Sequence, residues 1–435
     1  LHSAFFLFYA SLTFLNIMKI SPAAIAVIAS SLSLATFENS KVSGFSLATS
    51  RFAKNAVTKR TISRRPFATI TPKMSSATAE ETTTTNPLLS YKSLPEFTKI
   101  EPSQLTPAIT SVISTMSSEF ESFENSITAT STPPAYDDVL PRVERIQAPL
   151  EFSWGVAGHL NGVKNTPELR AEYEKNQPEV VKTMTQFGQS RALYDALQTL
   201  QKELDEVDDA TADFEVQQKK RAVANSLRSM TLGGVGLDGA AKERFNEIRT
   251  RMAELTTTYS NNVLDATKVF ELVVEDGAVL DGVPESAKGM WYGSYVGSVK
   301  EKEGEEVKEG SSAESGPWRI TLDAPSYIAA MQHVKDRGVR EKVYKAYVTR
   351  ASEFTPKLDN IPLISEILSL KLELTKLLGF SNYAEQSLHS KMAPSVESVA
   401  ELSNLIKDKA LPAAYKELDE ITAYARANGG DEYST

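Results

Sequence analysis

The stretch LTPAITSVISTMSSEFESFENSI, residues 105–127, sets Leu105, Ile109, Val112, Ile113, Met116, Phe120, Phe123 and Ile127 mostly three and four positions apart. At 3.6 residues per turn this spacing collects the apolar side chains into one stripe, which has to be buried against another element. The same spacing recurs outward along the chain. NTPELRAEYE opens a second helix, with Thr166 as its cap and Pro167 in a first turn that needs no amide donor. Leu193, Leu197, Leu200 and Leu204 continue the pattern, as do Phe245, Ile248, Met252, Leu255, Tyr259 and Val263. Long stripes joined by short loops predict a mainly α, multi-helical body with antiparallel packing.

Two segments interrupt the helices. VFELVVEDG (269–277) and WRITL (318–322) are rich in β-branched and aromatic residues and read as short strands, a small β-hairpin or sheet element. Between them KEKEGEEVKEGSSAESG (300–316) reads as a solvated charged loop, as does DEVDDATADFE (205–215), which lacks the alternating acids and central glycine of a calcium loop. Helices resume after LDAPSY, with Val343, Tyr347, Ile364, Ile367 and Leu368 expected on buried faces. Gly379 stands where a left-handed C-terminal cap is wanted, Ser381 is placed to cap the next helix, and Ser395 to cap a last long helix kinked at Pro412.

The first 85 residues read as a targeting presequence and linker rather than fold. MKISPAAIAVIASSLSLA, from Met18, has a charged start, an apolar middle and a small-residue end, the layout of a secretory signal, with residues 1–17 an upstream extension. A transmembrane anchor over 4–37 is the alternative, although the apolar run is short for a span. From Lys41 to Lys73 the chain is basic, hydroxyl-rich and free of acids, as import peptides are. Signal followed by transit segment resembles the two-part plastid presequence of algae with secondary plastids, with Phe37 at the expected cleavage point. Mitochondrial import, with SRRPFAT (63–69) as processing site, competes. Residues 74–85 read as the linker.

Composition closes several routes. With 47 Lys and Arg against 56 Asp and Glu, the net charge of −9 argues against nucleic acid as the main partner, since phosphate binding needs a basic stripe. Without cysteine the chain has no disulfide, thiolate zinc cluster or cysteine nucleophile. GVGLDG (234–239) fits the glycine pattern of a dinucleotide site, but a helical segment precedes it and no βαβ unit surrounds it, so it reads as a helix-to-helix turn. His2, His159, His333 and His389 include no pair four residues apart, so no helical H-E-x-x-H zinc motif is present. Scattered His and carboxylates leave a non-helical zinc site open. A Ser–His–Asp triad also stays open on residue types, but no G-x-S-x-G elbow supports it.

Six blocks in order carry a more specific signal: NPLLSYKSLPEFTKIEPSQLTPAI (86–109), HLNGVKNTPELRAEYEK (159–175), RFNEIRTRMAELTTTYSNNVLDATK (244–268), LDAPSYIAAM (322–331), REKVYKAYVTRASE (340–353) and LLGFSNYAEQSLHSKMA (377–393). Together they resemble the oligopeptidase A branch of the thimet oligopeptidase family of zinc metallopeptidases, in register from about Asn86 to about Ala425. The resemblance implies clam-shaped helical lobes around a deep channel and metal-assisted hydrolysis of short unstructured peptides, such as cleaved presequences, in an organelle. The plastid stroma is favoured, with the mitochondrial matrix as competitor. It implies an amino-terminal helical domain over 86–270, a strand-containing connector over 271–335 and the incomplete start of the peptidase domain over 336–435.

The family's zinc ligands, an H-E-x-x-H helix and a further glutamate, fall beyond Thr435 on this alignment. The expectation is therefore an inactive amino-terminal fragment that contributes no catalytic, cofactor-binding or metal residue, with zinc held by the full-length parent. Once the presequence is removed, no stable membrane association is expected, and nothing in the pattern sets an oligomeric state. A non-catalytic helical peptide-binding scaffold descended from such a peptidase is the alternative, and a membrane-tethered helical adaptor a third. In a fragment, helices after Arg340 are expected to show the apolar stripes that were made for the missing half.

Overall fold

The computed structural model describes residues 86–91, 94–129, 134–208, 212–302 and 304–428. The presequence reading of residues 1–85 lies outside them. The described chain is mainly α: twelve α-helices with one two-stranded sheet. Among the described residues no helix is long and apolar enough to cross a membrane.

Helices α1 (Leu105–Thr128), α2 (Tyr136–Val163), α3 (Pro167–Gly188), α4 (Arg191–Asp205) and α5 (Phe214–Leu232) build the first core. The stripe of α1 is its centre: Leu105, Ile109, Val112, Met116, Phe120 and Phe123 are buried, and half-buried Ile113 and Ile127 pack beside them. Leu193, Leu197 and Leu200 of α4 meet the same core. The starts of α3, α4 and α5 are each set by a side-chain oxygen that takes up a free amide. Thr166 Oγ1 accepts from Leu169 N at 3.3 Å, Ser190 Oγ from Leu193 N at 3.1 Å and Asp213 Oδ1 from Val216 N at 2.9 Å.

The glycine pattern at 234–239 is the helix-to-helix turn its context predicts. Gly234 takes φ +82° directly after α5, and Gly239 opens α6 (Gly239–Val269). This 31-residue helix is a spine with two different seams. Toward α3 the seam is polar. Gln177 Nε2 donates to Thr257 Oγ1 at 2.8 Å, Asn261 Nδ2 to Glu174 Oε1 at 2.8 Å, and Arg170 is bidentate to Asp265 at 2.7 and 2.8 Å. Rising numbers on one helix meet falling numbers on the other, so the two run antiparallel.

After α6 the chain forms β1 (Leu272–Val274), α7 (Glu285–Lys300), β2 (Trp318–Ile320), α8 (Ala324–His333) and α9 (Arg337–Val348) around a second core. The strands pair antiparallel, with Leu272 opposite Ile320, Val273 opposite Arg319 and Val274 opposite Trp318. Trp291 and Trp318 are fully buried, and Trp291 Nε1 donates to Ser326 Oγ at 2.9 Å. Val343 of α9 is buried here, while Tyr347 is half-buried beside it.

Helix α10 (Ile361–Leu377) lies on the second, apolar seam of α6. Leu363, Ile367, Leu370, Leu374 and Leu377 meet Phe245, Ile248, Met252 and Leu255 in a third core. This corrects part of the sequence reading, because Ile364 and Leu368 are exposed. Each residue turns about 100° around a helix, so a side chain one position from Leu363 or Ile367 points well away from their face. Gly379 does take the left-handed cap, with φ +83°.

The cap of α11 (Tyr383–Leu388) is Asn382 rather than Ser381. Asn382 Oδ1 accepts from Glu385 N at 3.0 Å, and Glu385 Oε2 reaches back to Ser381 N at 3.1 Å. A glutamate three residues beyond Asn382 closes this reciprocal arrangement, whereas the residue three beyond Ser381 is Ala384, which offers no acceptor. Helix α12 (Val396–Ala427) belongs to a separate unit and carries Pro412 in its interior.

Candidate functional site

Past Gln177 and Thr257 the polar seam between α3 and α6 opens into a groove of about 660 Å³. One wall is Pro178, Glu179, Lys182, Thr185 and Gln186 of α3; the other runs from Glu243 to Glu254 of α6. Its charges are four carboxylates (Glu179, Glu243, Glu247 and Glu254) against two cations, Lys182 and Arg251. Local pairs take up part of this: Lys182 with Glu179 at 3.6 Å, Arg251 with Glu254 at 3.2 Å. The groove is therefore acidic on balance, with Asn246, Gln186 and Thr250 supplying neutral hydrogen-bonding groups.

The α6 wall is fixed from behind. Arg251 reaches across the apolar seam to α10 and grips Glu366 with both ends of its fork, and Arg244 grips Glu373 in the same way. These hydrogen bonds favour the ionised forms, so the Glu366 and Glu373 carboxyls sit below the usual carboxylate range and both guanidinium groups are held still more firmly protonated. Deeper along the seam, Asp265 is likewise lowered by its hydrogen bonds from Arg170. Gln189 Nε2 donates to Asn246 Oδ1 at 2.8 Å and to Gly233 O at 3.0 Å, tying the groove to the turn that precedes α6.

The end of α6 meets an aromatic stack. Tyr327 and Tyr347 lie 3.8 Å apart at 17°, and the Arg350 guanidinium sits 3.8 Å above Tyr347 while donating to Thr267 Oγ1 at 2.8 Å. Burial pushes the Tyr327 phenol up to about 12, so it stays protonated near neutral pH and serves packing.

This arrangement can hold a polar or basic chain through carboxylates and amides. Among the described residues no three His, Asp or Glu side chains gather as a metal site. His159 packs on Phe97 with ring centres 5.3 Å apart, His389 on Phe380 at 5.5 Å, and His333 closes α8. The described residues thus do not fit the zinc that the sequence resemblance implies. The stretch GFSNYAEQSLHSKMA (379–393) is docked scaffold: Thr375 Oγ1 donates to Gln386 Oε1 at 2.6 Å, and Lys371 Nζ lies 4.6 Å from the centre of the Tyr383 ring.

Residue spacing alone gives no sign of the groove. The signal for the clamps is a shared interval of seven, Arg244 and Arg251 against Glu366 and Glu373.

Comparison with known proteins gives two family matches. Residues 109–242 match the Neurolysin/Thimet oligopeptidase N-terminal domain, and residues 330–435 match Peptidase family M3. Organellar oligopeptidase A, chloroplastic/mitochondrial, of Arabidopsis thaliana is 38% identical over 357 residues, covering 82% of this chain and 42% of that protein. A probable cytosolic oligopeptidase A of the same plant is 36% identical, covering 81% and 47%. Oligopeptidase A of Escherichia coli is 37% identical, covering 80% and 48%. The chain spans less than half the length of these relatives.

Proposed function

The chain belongs to peptidase family M3, in its oligopeptidase A branch, and on that premise we propose that it is the amino-terminal share of a zinc-dependent oligopeptidase that cleaves short unstructured peptides. One observation carries the reading: the two family matches follow one another on a single chain, the N-terminal domain and then the peptidase family. Zinc and its ligands belong, in this reading, to sequence that follows Thr435, and no hydrolytic step falls to residues of this chain. Its part is support. Helix α6, clamped to α10 and hydrogen-bonded to α3, fixes the position of α10. The division into 86–270, 271–335 and 336–435 is part of this proposal.

An organelle is the proposed site of action, with the plastid stroma ahead of the mitochondrial matrix and cleaved presequences as substrates. The acid-free basic stretch from Lys41 to Lys73 supports it, as does the organellar relative. The cytosolic relative matches almost equally well, so the presequence rather than the body of the chain bears this point. The acidic groove favours a second reading, a peptide-holding scaffold without catalysis.

Expression of the 435-residue chain beside the whole reading frame tests both. The whole protein is expected to hold one zinc and to cleave a quenched fluorescent peptide until chelated, and the shorter chain to do neither. Stoichiometric zinc with chelator-sensitive cleavage in the 435-residue chain would sink the proposal. A whole protein that binds peptide but never cleaves it would install the scaffold reading.

A further inference from the structure

The wall that α6 gives to the groove carries more negative charge than its neighbours cancel. Arg244 pairs with Glu247 at 2.9 Å but also grips Glu373, and Arg251 pairs with Glu254 at 3.2 Å but also grips Glu366. Each guanidinium is shared by two carboxylates, so each triad keeps one negative charge. Glu243, one turn before Glu247, has no hydrogen bond or ion pair among the described residues. Across the groove Glu179 is matched by Lys182 and leaves no surplus. Surplus charge therefore stands at 243, 247 and 254 on one face of α6, over about 16 Å at 1.5 Å per residue.

The same end of the groove lacks a donor. Gln189 is only 4% exposed; its Nε2 is spent on Asn246 Oδ1 and Gly233 O, while its Oε1 is buried without a partner. Asn246 lines the groove between Glu243 and Glu247. The oxygen and nitrogen of a carboxamide lie about 2.2 Å apart, so with the 2.8 Å bond to Asn246 the unmet acceptor is within about 5 Å of the groove wall. Carboxylates accept and do not donate, and Gln189 Oε1 does the same. What completes this site is a group that brings N–H donors and positive charge together.

We infer that the groove docks an extended basic peptide, with lysine or arginine side chains at alternate positions set against Glu243 and Glu247 and the peptide running on toward Glu254. Alternate residues of an extended chain recur on one side every ~6.6 Å, and Glu243 and Glu247 are about 6 Å apart along α6. A single metal ion does not fit: carboxylates spread along the helix cannot close on one centre, and no such cluster gathers among the described residues. Both walls lie within Thr82–Val396, one compact unit, so the site is whole inside it. The inference rests on the reading of the chain as part of a protein that handles peptides and adds their class, cationic; it needs neither zinc nor cleavage.

Fluorescence anisotropy of the 435-residue chain with labelled peptides of about eight residues tests this. The probes carry lysine, glutamine or glutamate at the third and fifth positions and no other charge. The lysine peptide is expected to bind at least about tenfold more tightly than the glutamine peptide and to weaken with salt, and the glutamate peptide not to bind. Glu243→Gln with Glu247→Gln should remove this preference, and so should Thr250→Lys, which brings a cation into the groove from its own wall. Asp205→Asn with Glu206→Gln deletes the same charge from an exposed run outside the groove and should leave the affinity within about twofold. Equal losses in the two double variants would show attraction to net charge alone and overturn the site, as would equal binding of the lysine and glutamine peptides. Full displacement by spermidine at the same concentration of amino groups would overturn the peptide as occupant.

Zinc content and cleavage by the whole protein are read separately. Retained selectivity in a protein that never cleaves leaves the groove and removes the peptidase. An active enzyme in which Glu243→Gln with Glu247→Gln binds the lysine peptide as before removes the groove alone.

Discussion

Arg251 and Glu366 meet fork to fork: Nε donates to Oε1 at 2.7 Å and Nη2 to Oε2 at 3.0 Å. Seven residues back on α6 and seven forward on α10, Arg244 and Glu373 repeat the geometry at 2.7 and 2.9 Å. Two planar forks at one interval set the register of the apolar seam between them. Because the pairs face water, they contribute little to global stability. Replacing both arginines by glutamine is expected to speed amide exchange over residues 361–377 by no more than about tenfold, leaving the main unfolding transition in place. Lysine at either position should not restore the wild-type rate, since a point charge cannot reproduce the fork. Exchange measured by mass spectrometry at low and high salt checks this.

The turn between α5 and α6 separates a backbone requirement from a ligand requirement. Gly234 has φ +82°, and a Cβ there would lie 3.2 Å from Leu237 and Phe245; Gly236 has open space around it. Gly234→Ala is expected to cost about 1–3 kcal/mol, and Gly236→Ala to stay within about 0.5 kcal/mol. Urea unfolding of the two variants decides the matter. Comparable large losses at both positions would contradict the turn geometry.

Arg170 and Asp265 join α3 to α6 with limited exposure, and the Asp265 carboxyl is lowered by this hydrogen bonding. A carboxyl that binds its proton less readily folded than unfolded adds stability above the ordinary aspartate value of about 4, and that stability is lost as pH falls through the folded value. Asp265→Asn should therefore flatten the acid limb of a stability–pH curve while changing little of its shape above about pH 5. Arg170→Ala should cost about 1–3 kcal/mol at neutral pH, leaving a half-buried carboxylate without its partner.

Ser326 is a single acceptor for two buried donors, Trp291 Nε1 and Thr321 N, each at 2.9 Å. Ser326→Ala strands both. The expected loss is about 2–4 kcal/mol, the sum of two unmet donors at the lower end of their range. Denaturant unfolding followed by tryptophan fluorescence measures it, and a loss below about 0.5 kcal/mol would show that water replaces the hydroxyl.

Much of the scaffold could be read from residue spacing, because burial and helix geometry act locally. In the stripe of α1, the leucines of α4 and the α6 face from Phe245 to Leu255 most side chains are buried as their intervals require, while Ile113, Ile127, Leu204 and Met252 are half-buried against the same cores. The strands and the Thr166 cap follow from residue chemistry in the same way. Structure departs from spacing where neighbouring residues compete. Ser381 and Asn382 both offer an oxygen, and only Glu385 decides between them. Ile364 and Ile367 both belong to an apolar helix, and only the position of α6 decides which is enclosed. The groove could not be read at all, since its walls come from segments about sixty residues apart and carry ordinary surface charges.

Strands β1 and β2 are paired although α7 and the charged run from Lys300 to Gly316 intervene between them. Arg319 reinforces the ribbon through Glu271 at 2.7 Å, and Trp318 anchors its end in the second core. Whatever length the intervening run takes, its two roots stay tied together, and lengthening it costs only the slow logarithmic penalty of a longer loop. Its part ahead of Ser311 is thus a natural port for a grafted epitope or fluorophore, because Ser311 O and Ala313 O accept from Tyr292 Oη and Trp318 Nε1 and hold the rest of the run on the second core.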